Sequence, residues 1–269
     1  MCASSSRILS PDNAKIRLIR KLRSKKYRDA ALKFTIEGMN LVSEAIRREI
    51  DIDFILCTES VCRDCDNADL IFGARCEVNI ISSNLMNSIS EAGHGISVLA
   101  VISKESLYEG LTYDYRTLSG NVLVLDRLQD PGNIGTMIRT AYAAGYIAVY
   151  AMIGTGDVYS PKVLRATAGT IFDIPVRYVR NVPELLRQVG MKGKKLAVSV
   201  PVDGKPYYDC DLSSNTALVI GNEGRGVSDE LISAADERIT IPMRKGIESL
   251  NAAISAAILM YEAMRCGWE

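Results

Sequence analysis

The stretch ALVIGNEGRGVS at residues 217–228 indicates a buried strand that runs into a glycine-rich turn. A continuous apolar run is typical of a strand in a parallel sheet covered on both faces. A phosphate-binding loop would need Lys and then Ser or Thr after its last glycine, and a dinucleotide fingerprint would need G-x-G-x-x-G early in a βαβ unit. Because Glu223 would also repel phosphate, we expect a neutral or cationic ligand. The alternative is a turn that needs glycine only for positive φ.

A second motif precedes this turn in residues 126–145, DRLQDPGNIGTMIRTAYAAG. A strand ends at Asp126, and Asn133 and Gly135 are predicted to open a helix in an N-x-G-x-x-x-R arrangement that reaches Arg139. Six residues span about one and two-thirds helical turns, so Asn133 and Arg139 need not share a face. Taken alone, the pattern also fits a helix cap and a surface charge.

A third motif follows the turn in residues 239–262, ITIPMRKGIESLNAAISAAILMYE. A strand and a glycine-containing loop precede a helix rich in small residues, with Ser249 as its expected N-cap. A buried terminal helix explains the small residues. It does not explain the polar Glu248, Ser249 and Asn251 at the start of that helix.

Alternating strand and helix patterns predict an α/β protein with two domains. The predicted segments are a basic N-terminal helix or arm (1–25), a small α/β domain (26–103), a linker (104–119) and a larger α/β domain with a mostly parallel sheet (120–269).

Composition favours a protein that needs neither a membrane nor disulfides. Of 269 residues, 48% are apolar, and no apolar run approaches the roughly 20 residues of a membrane span. The N-terminus lacks the apolar middle of a secretion signal, so a soluble cytoplasmic protein is expected. The seven cysteines are expected to be reduced thiols. Zinc binding by Cys57, Cys62, Cys65 and Cys76 is an alternative that lacks a second C-x-x-C pair, and no metal is expected.

The net charge of zero hides an uneven distribution. From Arg7 to Lys33 there are ten Lys or Arg against two Asp, so this segment carries +8 and the rest of the chain −8. Such a segment suits a polyanion, because Lys and Arg contacts to phosphates supply most of the sequence-independent affinity for nucleic acid. A solvated basic helix without a partner is the alternative.

Together, NIGTMIR, VIGNEGRGVS and IPMRKGIESLNAAISAAILMYE resemble the SpoU (TrmH) family of RNA 2′-O-ribose methyltransferases in the SPOUT superfamily, in the family's order and spacing. KFTIEGMNLVSEAI and GISVLAVIS are similar to the substrate-binding domain that precedes the catalytic domain in many members. The chain departs from the family pattern at Arg244 and Lys245, where Pro-Gly-like residues are common. It departs again at GHGI (93–96), where a Pro-Gln-Gly-like turn is common.

The resemblance implies a SPOUT-type α/β-knot domain whose C-terminal segment is threaded into a trefoil, with the knotted loops binding S-adenosylmethionine. This cofactor carries a sulfonium cation and no phosphate, which agrees with Glu223 in the turn. The resemblance also implies a homodimer with the pocket near the subunit interface. The expected cofactor contacts, largely through backbone, are Gly221, Asn222, Gly226, Ile241, Met243 and Leu250.

The implied reaction is methyl transfer to a ribose 2′-hydroxyl in structured RNA, ribosomal rather than transfer RNA. Arg139 is the implied catalytic arginine. Because a guanidinium has donors and no acceptor, it suits a phosphate clamp or a stabiliser of the developing alkoxide better than a base. Asn133 would position the ribose or Arg139, and Glu223, Ser249 and Asn251 would surround the reacting groups.

RNA affinity is expected from basic residues in two segments. The predicted RNA-binding residues are Lys15, Arg20, Arg23, Lys25, Lys26, Arg28, Arg244 and Lys245. A transfer-RNA methyltransferase and a catalytically silent RNA-binding or ribosome-assembly protein on the same fold are the alternatives. A nucleotide-dependent oxidoreductase would need an early glycine fingerprint that the sequence lacks.

Overall fold

The chain folds into two compact units in a computed structural model that describes residues 6–108, 119–190 and 193–266. The first unit contains the described residues up to 108 together with Tyr159–Phe172, and the second contains residues 119–158 and those from 173 onward. Most of the predicted linker at 104–119 lies outside the described residues. The predicted domain boundaries therefore stay predictions.

Strands and helices alternate along both units. The strands are β1 (Ser6–Arg7), β2 (Lys33–Glu37), β3 (Ile52–Thr58), β4 (Glu77–Ile81), β5 (Val98–Ser103), β6 (Val122–Asp126), β7 (Ala148–Met152), β8 (Val176–Val179), β9 (Lys195–Ser199), β10 (Lys205–Pro206), β11 (Thr216–Gly221) and β12 (Glu237–Thr240). The helices are α1 (Ala14–Leu22), α2 (Lys25–Ala31), α3 (Met39–Arg47), α4 (Glu59–Cys62), α5 (Cys65–Phe72), α6 (Ser83–Ile89), α7 (Pro131–Ala143), α8 (Pro161–Thr167), α9 (Val182–Gly190), α10 (Asp229–Ala234) and α11 (Ala252–Cys266).

The first unit is built on a five-stranded sheet in the order β1-β4-β3-β5-β2. Strands β1 and β3 run parallel to β4, whereas β5 runs antiparallel to both β3 and β2. Helix α8 packs on this unit, and the ring of Tyr159, just before it, lies 4.9 Å from the ring of Phe34 in β2. These contacts explain why residues 159–172 group with the first unit, although the predicted second domain runs from 120 without a break.

The N-terminal basic segment is part of the first unit's core. Ile16, Ile19 and Leu22 recur every three residues in α1, and all three are buried against β3 and β5. Burial of each such side chain contributes roughly 1.5–3 kcal/mol. The helix expected over residues 12–25 is in fact two helices, because Ser24 adopts an extended backbone between α1 and α2. The apolar face of α1 is packed and its basic face is exposed, so this segment is not a free arm.

The second unit contains a seven-stranded sheet in the order β10-β12-β9-β11-β6-β7-β8, and every pair of neighbours is parallel. Strands β6, β7 and β11 are buried almost throughout, as their continuous apolar runs predict. The predicted α/β class with a mostly parallel sheet is confirmed. Because Gly221 pairs with Asp126, the loops after β11 and β6 leave the sheet at the same edge.

Two helices of the second unit begin at other residues than expected. Helix α7 begins at Pro131 with Asp130 as its N-cap, so Asn133 lies inside the first turn rather than opening the helix. Helix α11 begins at Ala252, and the side chain of Asn251 caps it instead of Ser249. In both cases a side-chain oxygen closer to the free N–H groups supplies the cap.

The sequence patterns did not indicate four short elements, β1, α4, α5 and β10. Strands β1 and β10 have only two residues each, too few to show any periodicity. Among the helices that the structure describes, none has the length and apolar character needed to cross a bilayer.

Candidate functional site

The turn after β11 is a closed hairpin with a fixed backbone. Asn222 and Gly226 exchange two backbone hydrogen bonds of 3.0 and 2.9 Å. The side-chain oxygen of Asn222 also accepts the N–H groups of Gly224 and Arg225, both at 3.0 Å. A Cβ on Gly221 would lie 2.3 Å from the carbonyl carbon of Gly226, so only glycine fits there. The turn therefore keeps its shape through its own bonds.

The carboxylate of Glu223 joins this turn to the start of α7. It accepts hydrogen bonds from the backbone N–H groups of Gln129 (3.2 Å) and Asp130 (3.1 Å) and from the side-chain amide of Asn133 (3.1 Å). Partial burial opposes ionisation, but bonds from its own backbone and from these three donors outweigh it and hold the pKa of Glu223 below its ordinary value. Glu223 is thus an ionised strut between two loops.

Asn133 and Asn251 extend this connection to α11. The side-chain amide of Asn251 donates to the side-chain oxygen of Asn133 at 3.0 Å. The oxygen of Asn251 is occupied by the N–H groups of Ala253 and Ile254, at 2.9 and 3.2 Å. The two predicted asparagines therefore form one chain with Glu223, which links the starts of α7 and α11 to the turn after β11.

A cavity of about 460 Å³ lies beside this turn, between the end of the sheet and the loop that precedes α11. All six residues predicted to contact the cofactor line it, as do two of the predicted catalytic residues: Gly221, Asn222, Gly226, Ile241, Met243, Leu250, Glu223 and Ser249. Three carboxylates and one guanidinium, those of Glu223, Asp229, Glu248 and Arg225, are also part of its lining. The surplus of negative charge suits a cationic ligand and opposes a phosphate.

The remaining predicted catalytic residues are not part of the cavity lining. Asn133 and Asn251 connect to it through Glu223. Arg139 is exposed on α7, six residues beyond Asn133, which is about 9 Å along the helix axis and on a different face. The described residues offer no hydrogen-bond or ion-pair partner to the Arg139 guanidinium.

Sequence reasoning missed an ion pair with a buried aspartate under this site. Asp126, at the end of β6, is only 2% exposed, and its carboxylate accepts the N–H groups of the Arg127 guanidinium at 3.0 and 3.2 Å. It also accepts the backbone N–H of Ser228 at 2.7 Å. The carbonyl of Arg127 in turn accepts the side-chain amide of Asn222 at 2.8 Å. An aspartate ending a fully apolar strand was the available signal.

Several of the predicted RNA-binding residues bond to other residues of the first unit, and Lys15 and Arg28 are the least exposed of them. Lys15 pairs with Glu77 at 2.5 Å and bonds Asn79. Arg28 is buried and donates to the carbonyls of Leu22 and Arg23. This arrangement revises the expectation for Arg28, because its guanidinium closes the junction between α1 and α2 instead of facing solvent.

Arg23 donates to the carbonyls of Ser88 and Ser90 at 2.9 and 3.3 Å, while the rest of its side chain is exposed. Arg20 is exposed and donates to the Pro11 carbonyl at 3.1 Å. The other predicted RNA-binding residues are also exposed: Lys25, Lys26, Arg244 and Lys245.

The cysteine cluster offers no metal site in the part of the chain that the structure describes. Cys57 is buried, whereas Cys62 and Cys65 are exposed. Burial raises the pKa of the Cys57 thiol to about 12 and that of Cys76 to about 11, so both stay protonated at neutral pH. The zinc alternative therefore gains no support from these residues.

A parallel α/β sheet with a glycine-turn cavity at the carboxyl ends of its strands defines a class of small-molecule-binding enzyme domains. Residues 120–261 match the SpoU rRNA Methylase family, and residues 13–100 match the MRM3-like substrate binding domain. The chain belongs to the SpoU rRNA methylase family, which confirms the resemblance found in the sequence.

Similar proteins match over nearly the whole chain. The 23S rRNA (guanosine(2553)-2′-O)-methyltransferase RlmP of Bacillus subtilis is 35% identical over 94% of this chain and 97% of its own. The SpoU methyltransferase AviRb of Streptomyces viridochromogenes in complex with AdoMet has a TM-score of 0.82 and 27% identity, covering 94% of this chain and 97% of its own. The AdoMet-bound rRNA methyltransferase of Sinorhizobium meliloti has a TM-score of 0.81 and 27% identity, covering 97% and 98%.

Proposed function

We propose that the chain transfers a methyl group from S-adenosylmethionine to a ribose 2′-hydroxyl of ribosomal RNA. The observation that carries the proposal is the cavity enclosed by the turn after β11 and the loop before α11, with Glu223, Asn133 and Asn251 hydrogen-bonded at its side. The family membership and the 2′-O-methyltransferase activity of the RlmP relative support the same reaction.

The residues of the cavity fit S-adenosylmethionine. A volume of about 460 Å³ lies within the range of roughly 300–1,000 Å³ that is usual for small-molecule and cofactor sites. Apolar side chains of Ile241, Met243 and Leu250 suit the adenine and ribose, and the carboxylates suit the sulfonium and ammonium groups. Gly221 lets the backbone of Gly226 and Val227 close the turn that forms one wall of the cavity. The relatives from Sinorhizobium meliloti and Streptomyces viridochromogenes described above bind AdoMet.

When bound, S-adenosylmethionine supplies an electrophilic methyl group on its sulfonium. The protein's part is then to hold this group and the ribose hydroxyl in line and to stabilise the charge that develops on the oxygen. Glu223 fixes the first turn of α7 against the cavity, and Asn251 fixes Asn133. A carboxylate with a lowered pKa and three donors is a poor base, so Glu223 acts as a positioning residue.

Arg139 binds the RNA near the reacting ribose in this proposal. Its guanidinium is exposed and without a partner in the described residues, which suits a contact to the phosphate beside the target ribose or to the developing alkoxide. A planar fork makes two parallel bonds to such oxygens, and a lysine cannot reproduce them.

The basic face of α1 and α2 supplies sequence-independent affinity for RNA. Arg20, Lys25 and Lys26 are exposed there, while the apolar face of α1 is buried in the core. In the second unit, Arg244 and Lys245 are exposed in the loop before α11. Each phosphate contact of this kind releases a counterion, so binding is expected to weaken steeply with added salt.

The proposal includes a homodimer and a knotted C-terminal segment. Leu250, Ile254 and Tyr261 recur along one side of the loop before α11 and of α11 itself, and all three are well exposed. Large apolar side chains in such a stripe suit burial against a second copy. Light scattering tests the dimer, with Ile254→Asp as the variant expected to give monomers. A monomeric wild-type protein would remove this part of the proposal.

The test of the reaction uses RNA from cells that lack this protein, with S-adenosylmethionine labelled on its methyl group. Ribosomal RNA is expected to accept label, and Arg139→Ala to lower the rate about 10²–10³-fold while cofactor affinity stays unchanged. Arg187→Ala, an exposed arginine on α9, is the matched control and should transfer at the wild-type rate. Undiminished transfer by Arg139→Ala would remove that residue's role.

Other results of the same assay distinguish the remaining functions. Label in transfer RNA alone would replace ribosomal RNA as the substrate. RNA binding without cofactor binding or transfer would indicate a catalytically silent RNA-binding protein.

A further inference from the structure

The loop of residues 90–96, hereafter the 90–96 loop, is held rigidly by a buried carboxylate. Glu37, at the end of β2, is 5% exposed and accepts hydrogen bonds from the Ser90 hydroxyl at 2.8 Å and from the N–H groups of Glu91 and Ala92, both at 2.9 Å. Arg23 bonds the Ser90 carbonyl from the other side at 3.3 Å. The base of the loop is therefore fixed before any partner arrives.

The tip of the same loop is open. Gly93 and Gly95 have φ of +92° and +90°, and a Cβ on either would meet no heavy atom of the described residues within 4 Å. His94, the only histidine of the chain, lies between them and is exposed. The positive φ favours glycine at both positions, and the residues on either side of His94 therefore carry no side chain.

Cations surround the base of the loop, and one carboxylate is part of the loop itself. Partial burial and the repulsion of Glu37 raise the pKa of the Glu91 carboxyl, and the charges of Arg28, Arg23 and Arg165 oppose this rise. Glu91 is exposed and would repel a phosphate placed at the tip. A polyanion can therefore be attracted to this edge, while the tip itself favours an uncharged, planar group.

We propose that the 90–96 loop binds one unpaired nucleotide of the RNA substrate, with the imidazole of His94 stacked on the base. Histidine is among the side chains on which splayed-out RNA bases stack, and sequence-specific recognition of RNA favours such unpaired bases. A loop fixed by Glu37 loses little conformational freedom on binding. The inference rests on the proposed function, and it assigns substrate selection to a site in the first unit.

Filter binding to protein-free 23S ribosomal RNA tests the site in the full-length protein. His94→Ala is expected to weaken binding about tenfold, which corresponds to about 1.4 kcal/mol and is a typical loss when stacking on one base is removed. His94→Phe keeps a flat ring and should bind within about threefold of wild type by the same argument.

Arg75→Ala is the control for this assay. Arg75 precedes β4 and lies at the opposite end of β3 from the 90–96 loop, as the strand registers show. Because Arg75→Ala removes a full positive charge, the loss of RNA affinity that it causes is an upper limit for the loss expected from a substitution away from the binding site. His94→Ala must weaken binding more than this control does.

The single histidine also provides a direct readout. In a proton NMR titration with a mixed-sequence single-stranded hexaribonucleotide, the imidazole resonances of His94 should shift upfield, as expected for a ring stacked on a base. The inference alone would be overturned if the protein binds and methylates RNA while these resonances do not shift and His94→Ala binds RNA as well as wild type. Absence of RNA binding and of methyl transfer by the wild-type protein would overturn the proposed function as well.

Discussion

Glu37 in the first unit and Glu223 in the second each fix a distant segment of the chain through hydrogen bonds, but the two carboxylates differ in burial. Each carboxylate accepts two backbone N–H groups and one side-chain donor from a loop distant in sequence. Glu37 is buried, and at the tip of its loop a Cβ on Gly93 or Gly95 would meet no atom of the described chain within 4 Å. Glu223 is exposed and lies on a cavity wall beside a turn in which Gly221 has no spare space.

The difference in burial between Glu37 and Glu223 predicts that Glu37 contributes mainly to stability and Glu223 mainly to ligand binding. A buried carboxylate with three donors belongs to the core, and its removal leaves those donors unsatisfied away from water. An exposed carboxylate can be replaced by water, so its loss is felt mainly in the geometry of the adjoining cavity. Substitutions at the two sites should therefore change different measured quantities.

The largest expected effect comes from Gly221→Ala. A Cβ there overlaps backbone atoms 2.3 Å away, so the turn must open. Overpacking of this kind costs about 3 kcal/mol, and affinity for S-adenosylmethionine should fall by about a hundredfold or more in calorimetric titration. Gly93→Ala is the matched change in the 90–96 loop. Only the positive φ of Gly93 opposes this substitution, and the affinity for S-adenosylmethionine should stay at the wild-type level.

Glu37→Gln should lower the free energy of unfolding by about 2 kcal/mol. The amide keeps one acceptor oxygen but turns an N–H₂ group toward the donors of the 90–96 loop, in a buried place. Urea unfolding followed by far-UV circular dichroism measures the change, while cofactor binding at low urea serves as the control. Loss of cofactor affinity in a stable Glu37→Gln protein would contradict the view that Glu37 contributes to stability and not to cofactor binding.

Glu223→Gln should have the opposite profile. The loss of stability is expected to stay below about 1 kcal/mol, since water reaches this side chain. Because the start of α7 loses its strut, the rate of methyl transfer should fall about tenfold or more. Equal losses of stability for Glu37→Gln and Glu223→Gln would show that exposure does not distinguish the two carboxylates.

The smallest effect is the pH dependence of the Glu223 strut. Its pKa is lower in the folded than in the unfolded protein, so its contribution to stability is present above the ordinary glutamate pKa of about 4.3 and is lost as the pH falls through the folded value. The stability difference between wild type and Glu223→Gln should therefore shrink below about pH 4. A difference that grows on acidification would contradict the direction of the shift.

Much of the fold was readable in the sequence because its signals are local. The apolar runs at β6 and β11 predicted buried parallel strands, and both are buried in the sheet. Residues from two separate segments, such as Gly221 and Leu250, were expected to share a pocket, and both line the same cavity.

What the sequence did not reveal depends on contacts between distant residues. Asp130 and Asn251 cap their helices, where Asn133 and Ser249 were the residues expected at those positions, because several polar residues compete within one turn. The burial of Arg28 depends on carbonyls at the junction of α1 and α2, which no residue pattern shows. The roles assigned to Arg139 and to the basic surface residues stay predictions.

The order of strands in the second sheet also governs how the protein is made. Strand β11 inserts between β6 and β9, and β12 adds beyond β9, so the middle of the sheet is completed by late residues. During synthesis on the ribosome, the edges of β6 and β9 that pair with β11 stay unpaired until residues 216–221, which form β11, leave the exit tunnel. Such open strand edges favour aggregation. All of the residues of the first unit precede β11 in the sequence. Ligand present during translation therefore cannot assist folding until the beginning of α11 has left the exit tunnel.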